Sequence, residues 1–226
     1  MAYLLHIEST STVCSVAISK DAELLSLKEL NNGYTHAENL HVFIEQALNE
    51  CCLKANDLNA ISISSGPGSY TGLRIGFSAA KGLAFALNIP LITIDTLKAL
   101  SAGAIQLIKE EAVFIPMMDA RRMEVYCAAY DNNLKEVLPV LALVLNEDSI
   151  KVFEQNKPLY FYGDGMPKAK ELLQLLPKAN FIENVYASAT NMMTLAFEKY
   201  NVKDFADVAY SEPNYLKEFF FHTVKK

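Results

Sequence analysis

Tryptophan is absent and histidine is scarce: His6, His36, His41 and His222 are the four in 226 residues. No HExxH pattern or metal-spaced carboxylate cluster accompanies them, and His36 and His41 sit five apart, which at about 100° per residue sets them roughly 140° apart around a helix. A regular helix cannot aim both at one ion. Four cysteines without a CxxC spacing exclude a disulfide framework and a zinc ribbon, and Cys14, Cys51, Cys52 and Cys127 are expected to be reduced packing residues. Vicinal Cys51 and Cys52 point to different helix faces and lack an activating flank, and GxSxG does not occur, so neither a cysteine nor a serine nucleophile is marked. Basic residues are outnumbered 20 to 26, giving a formal charge of −6 and a pI near 5.3. There is no global field to hold a phosphate backbone, which excludes a stand-alone nucleic-acid binder. Apolar runs such as 139–145 fall far short of the ~20 residues that span a bilayer, and Met1–His6 carries no cationic leader, so the expected location is cytoplasmic and off the membrane.

What the chain does have is apolar content: 51% against 20% charged, the balance of a folded protein rather than a disordered one. Apolar alternation predicts three short strands at 3–8, 13–19 and 23–30, an antiparallel meander. From Thr35 the period changes, and Leu40, Phe43, Ile44, Ala47, Leu48 and Cys51 share one helical face. A strand at 60–64 follows, then Gly66-Pro67-Gly68, a helix over 71–87, a strand at 90–94 and a helix from 97 to 109. A second unit starts near Ala112. It has strands at 113–118 and 124–130 joined across Asp119–Arg122, further strands at 139–145 and 159–162, a helix over 167–176 with proline in its first turn, and a helix over 189–200 before an irregular tail. The expected organisation is two α/β lobes, 1–110 and 111–226, each a mixed sheet with helices, with the C-terminal segment free to pack back on the first lobe.

The glycine-rich stretch Gly66-Pro67-Gly68-Ser69-Tyr70-Thr71-Gly72-Leu73-Arg74-Ile75-Gly76 is the most distinctive feature. It sits where a strand turns into a helix, a geometry whose free N–H groups can hold an anion. As a dinucleotide fingerprint it fails, because Thr71 stands where the third glycine belongs, and as a Walker loop it fails because Leu73 follows Gly72. The plainer reading is a turn that lets the helix pack closely.

Taken together, the meander, the Gly66–Gly76 loop, Asp119-Ala120-Arg121-Arg122-Met123-Glu124-Val125-Tyr126 and Pro213-Asn214-Tyr215-Leu216 resemble the bacterial TsaB family, formerly YeaZ, which carries GPGS(F/Y)TG(L/V)RIG, DAR-x-x-EVY and P-x-YL in that order. The resemblance runs nearly end to end. It implies the two-lobed actin/Hsp70/sugar-kinase-like (ribonuclease H-like) fold of the glycoprotease-like M22 group. It also implies a part in making threonylcarbamoyl-adenosine next to the anticodon of tRNAs that read A-starting codons. The family subunit is regarded as non-catalytic, forms homodimers when alone, pairs with the catalytic paralogue TsaD, is joined by the ATPase TsaE, and meets tRNA only through the complex. In ATP-using relatives both phosphate loops contain glycine, whereas Glu8–Thr12 and Asp119–Arg122 here contain none, so side chains stand where backbone would approach phosphate. The paralogue's HxxxH metal pair falls on Thr96 and Leu100 here. Glu8 replaces the usual aspartate. The resemblance thus implies no catalytic residue, cofactor or metal of its own, and the alternative is an ATP-dependent small-molecule kinase or metallopeptidase of the same fold.

The second helix is apolar well round its axis, with Leu73, Ile75, Phe77, Ala79, Leu83, Ala84, Phe85 and Leu87 against Arg74, Ser78 and Lys81. Gly72, Gly76, Ala80 and Ala84 recur every four residues and suggest a groove for another helix. With the pairing that the resemblance implies, the expected partner interface is His36, Leu40, Phe43, Arg74, Gly76, Phe77, Ala80, Lys81 and Ala84.

Overall fold

The computed structural model describes residues 1–33 and 35–217. The first half builds β1 (Tyr3–Glu8), β2 (Val13–Lys20), β3 (Glu23–Asn31), α1 (His36–Glu50), β4 (Ala60–Ser64), α2 (Tyr70–Leu87), β5 (Leu91–Ile94) and α3 (Thr96–Ile105). Its sheet has the order β3-β2-β1-β4-β5, with β1 antiparallel to β2 and parallel to β4. Centrality explains composition: β1 and β4, covered on both faces, are almost wholly buried, while β3 at the edge leaves Leu24, Leu25, Leu27 and Leu30 partly in solvent.

The second half builds β6 (Val113–Asp119), β7 (Glu124–Tyr130), β8 (Glu136–Val144), β9 (Leu159–Tyr162), α4 (Met166–Leu173), β10 (Ala179–Phe181) and α5 (Met193–Asn201), with sheet order β10-β9-β6-β7-β8. The strand expected at 139–145 starts earlier and runs through Pro139, which is tolerated because β8 is an edge strand with irregular register against β7. The last helix is shorter than expected, its first turn being a 3-10 turn at Ala189–Met192.

These elements stack in five layers. On one face of the first sheet, Leu5, Ile7, Val16 and Ile63 pack with Leu40 and Ile44 of α1 and Phe77 and Ala80 of α2. On its other face, Leu4, Ala60 and Ile92 meet Ala99 of α3 and Ala196 of α5. The opposite side of α3 turns Leu97, Leu100 and Ala104 toward Phe114, Met118 and Tyr162 of the second sheet. Beyond that sheet, α4 closes a core around Ile115, Cys127 and Phe161. A single helix is therefore shared by two sheets, and it fixes how the halves face each other. Asp95 caps α3 by accepting from Lys98 N at 2.8 Å, and Ser69 caps α2 through Gly72 N at 3.2 Å, each worth about 1 kcal/mol. Among the described residues no helix is long and apolar enough to cross a membrane.

Candidate functional site

The two halves leave a cleft with a cavity of about 350 Å3. One wall is Thr10 and Ser11 with the stretch Pro67–Thr71, the other is Met118–Arg121 with Tyr126 and Asp164, and Asn214–Lys217 closes the mouth. The glycine loop and the second-lobe turn, far apart in sequence, thus meet at one place.

The glycine loop is shaped by what touches it. Gly66 has φ +105°, a region that side chains rarely adopt, and a Cβ there would lie 2.7 Å from Asn214 O. Added methyls would lie 2.5 Å from Thr10 at Gly68, 2.0 Å from Ser9 O at Gly72 and 2.2 Å from Ser9 Oγ at Gly76. Glycine here lets the 9–12 turn lie directly on the start of α2. Thr96 ties the loop from the other side, since Gly66 N donates to Thr96 Oγ1 at 3.1 Å and Thr96 N donates to Gly66 O at 3.0 Å. Thr96 thus serves as a loop anchor.

Several backbone donors of the cleft are committed to acceptors within the chain. Ser69 N donates to Thr10 O at 2.6 Å, and Thr10 N donates to Glu8 Oε1 at 2.6 Å. Across the cleft, Asp119 N donates to Asp164 Oδ1 at 3.0 Å, Ala120 N to Glu124 O at 3.1 Å and Arg121 N to Asp119 Oδ1 at 2.9 Å. Lys168 is likewise taken up by Asp119 and by Arg122 O at 2.8 Å. Glu8 is buried, and its carboxylate also accepts from Thr10 Oγ1 and Ser64 Oγ. Burial pushes its pKa up and the hydroxyl and N–H donors pull it partly back. Burial similarly raises Asp164 and Tyr126. Among the described residues, no three His, Cys, Asp or Glu side chains converge to hold a metal ion.

The interface expected on α1 and α2 is corrected. His36, Leu40, Phe77, Ala80 and Ala84 are each at most 3% exposed, and Gly76 is buried under Ser9 and Ile63. The four-residue run of small side chains faces the chain's own sheet and the 9–12 turn rather than a groove. His36 Nε2 donates to Ser11 O at 2.8 Å, so it anchors the same turn, and burial lowers its pKa. Phe43 is half-buried. Arg74 and Lys81 do reach the surface side, where Arg74 Nε donates to Tyr215 Oη at 3.4 Å and Lys81 Nζ to Ala209 O at 3.0 Å. The outward stripe of α2 is Ser78, Gly82, Phe85 and Ala86, with Phe85 81% exposed. Cys14 and Cys127 are core thiols pushed up to about 11 and about 12 by burial, whereas Cys52 is exposed.

Sequence reasoning missed Asp164, Lys168 and Lys217. Gly163-Asp164-Gly165 reads as a turn, and only the fold shows that its carboxylate faces the Asp119 turn.

The family model described as "TsaD: tRNA N6-adenosine threonylcarbamoyltransferase" matches residues 32–223. The chain is 28% identical to the tRNA threonylcarbamoyladenosine biosynthesis protein TsaB of Bacillus subtilis over 95% of this chain and 93% of that protein. It is 30% identical to the TsaB of Buchnera aphidicola subsp. Schizaphis graminum over 74% and 80%. The chain belongs to the TsaB family. YeaZ from Pseudomonas aeruginosa superposes with a TM-score of 0.79 over 96% of this chain and 100% of that one, at 24% identity, and shows the same fold. Component A of (R)-2-hydroxyglutaryl-CoA dehydratase from Acidaminococcus fermentans superposes at 0.55 over 90% and 100%, at 10% identity. The TsaB-family chain therefore shares with these structures an α/β fold built on two five-stranded mixed sheets with helices.

Proposed function

We propose that this chain is a non-catalytic scaffold subunit of the assembly that places a threonylcarbamoyl group on the adenosine next to the anticodon, and that it pairs with and supports a catalytic TsaD paralogue. Named relatives place the family in tRNA threonylcarbamoyladenosine biosynthesis. The observation that carries the division of labour is the cleft itself: Ser69 N, Thr10 N, Asp119 N and Arg121 N are committed to internal acceptors, and Thr10 and Ser9 fill the space over Gly68 and Gly72. A phosphate entering there would have to displace bonds already made. This weighs against the kinase alternative.

In this reading residues 1–110 and 111–226 are the two lobes, the outward stripe of α2 with Phe85 supplies the partner-facing surface, and the chain pairs with itself when TsaD is absent. TsaE joins the pair, tRNA is met only through the complex, and the assembly works in the cytoplasm. The test is reconstitution with the same cell's TsaD, TsaE, threonylcarbamoyl-AMP and tRNA. Modification is expected with both subunits and none with this chain alone. Modification by the isolated chain, or full modification without it, overturns the proposal.

A further inference from the structure

We infer that residues 206–217 are a strap that latches the two lobes together across the mouth of the cleft, with Tyr215 fastened to the first lobe and Lys217 to the second. Leaving α5, the chain returns along the first lobe: Ala206 N donates to Leu91 O at 2.8 Å at the edge of β5, Lys81 of α2 donates to Ser211 O at 2.9 Å, and Asn214 N donates to Ser65 O at 2.7 Å. At the mouth, the Tyr215 ring lies 5.0 Å from that of Tyr70, and Arg74 holds both, its guanidinium 4.2 Å above Tyr70 and its Nε 3.4 Å from Tyr215 Oη. Two residues later Lys217 forms an ion pair with Glu124 of β7. The strap thereby spans from the start of α2 to the second sheet.

The opposite end of the cleft is closed differently. There Ser101 on α3 meets Tyr162 Oη at 2.7 Å, and Tyr130 Oη donates to Asp95 at 3.5 Å, on groups buried between the sheets. That end is a packed base about which lobes can pivot, and the strap lies where a pivot would open widest. Its fastenings are built to release. Tyr215 is 36% exposed and the Lys217 side chain 38%, so water and salt compete for both. Releasing them would open the cavity whose wall Asn214–Lys217 now forms.

The test measures the lobe-to-lobe distance by pulsed electron resonance in the full chain, with spin labels on Glu29 of β3 and Glu171 of α4, both exposed and off the outward stripe of α2, with Cys51 and Cys52 replaced by serine and the labelled chain diluted in unlabelled chain. A single narrow distance is expected for the otherwise unaltered chain. Lys217→Glu and Tyr215→Ala should each raise the population of longer distances at least threefold, and Lys217→Glu combined with Glu124→Lys should return the narrow distribution. Circular dichroism should be unchanged in the two single variants, whose side chains lie at the surface, and in the charge exchange it checks that the largely covered Glu124 position accepts lysine. Narrow distances in both single variants would show that the strap lies on the surface without holding the lobes. Broadening that the charge exchange fails to restore would remove the Lys217–Glu124 pair from the latch.

Discussion

His6 Nε2 lies 2.8 Å from Ser19 Oγ, and the direction of that bond is set by a third group. Ser19 gives its one proton to Asp21 O at 2.9 Å, so it must accept from His6 Nε2–H. Nδ1 is then the acceptor of the Ser62 hydroxyl at 2.6 Å. The imidazole is held neutral, in one tautomer, at the centre of the first sheet.

Burial pushes the His6 pKa down to about 3, so the unfolded chain takes up a proton near 6.5 that the folded chain refuses. The stability from neutral His6 is complete above pH 6.5 and is lost as pH falls toward 3, at up to about 1.4 kcal/mol per pH unit. Urea unfolding between pH 6.5 and 5.0 should therefore cost the native chain about 2 kcal/mol more than it costs His6→Asn, which has no such proton to take up. Parallel slopes for the two proteins would show that His6 titrates alike in both states. Glu8, raised by burial, acts in the opposite sense, losing stability as pH rises, and it is common to both proteins.

Two substitutions on α2 separate its inner and outer faces. Ala80 is fully buried, so Ala80→Glu places a charge in the core around Ile63 and Leu40, costing several kcal/mol, and native circular dichroism should be lost. Phe85 is 81% exposed, and Phe85→Ser should change stability by no more than about 0.5 kcal/mol while weakening capture of TsaD about tenfold. A folded, TsaD-binding Phe85→Ser chain would move the partner surface off α2.

Those two residues also show what the sequence could and could not reveal. The succession of strands and helices along the chain follows from short apolar runs separated by turns, whereas the order of strands in each sheet and the approach of Thr10 to Gly68 do not. The apolar breadth of α2 was legible, but its cause was not. A glycine at every fourth position makes room for a neighbour without saying which, and the neighbour is Ser9 of the same chain, 63 residues before Gly72. Likewise β10 is three residues long and carries no alternation to read. Lys217 could not be paired with Glu124 because 93 residues separate them and only the fold brings them together.

The committed donors of the cleft lead to a prediction about nucleotide. An anion site at a helix start needs N–H groups pointing into space that phosphate can fill. Here Thr10 O takes Ser69 N at 2.6 Å, the Thr10 side chain lies where phosphate would approach Gly68, and Glu8 uses its carboxylate to fix Thr10 in place. On the facing wall the carboxylates of Asp119 and Asp164 stand beside Arg121, and Lys168 is already bound to Asp119. ATP should accordingly bind the isolated chain no more tightly than millimolar, about −4 kcal/mol. Replacing Thr10 with glycine removes one side chain over Gly68 but leaves the residue 10 carbonyl there, still holding Ser69 N, so that variant should gain no affinity either. Calorimetric titration checks both. Micromolar binding by the native chain would mean that the cleft rearranges to expose donors, and would return the kinase reading to consideration.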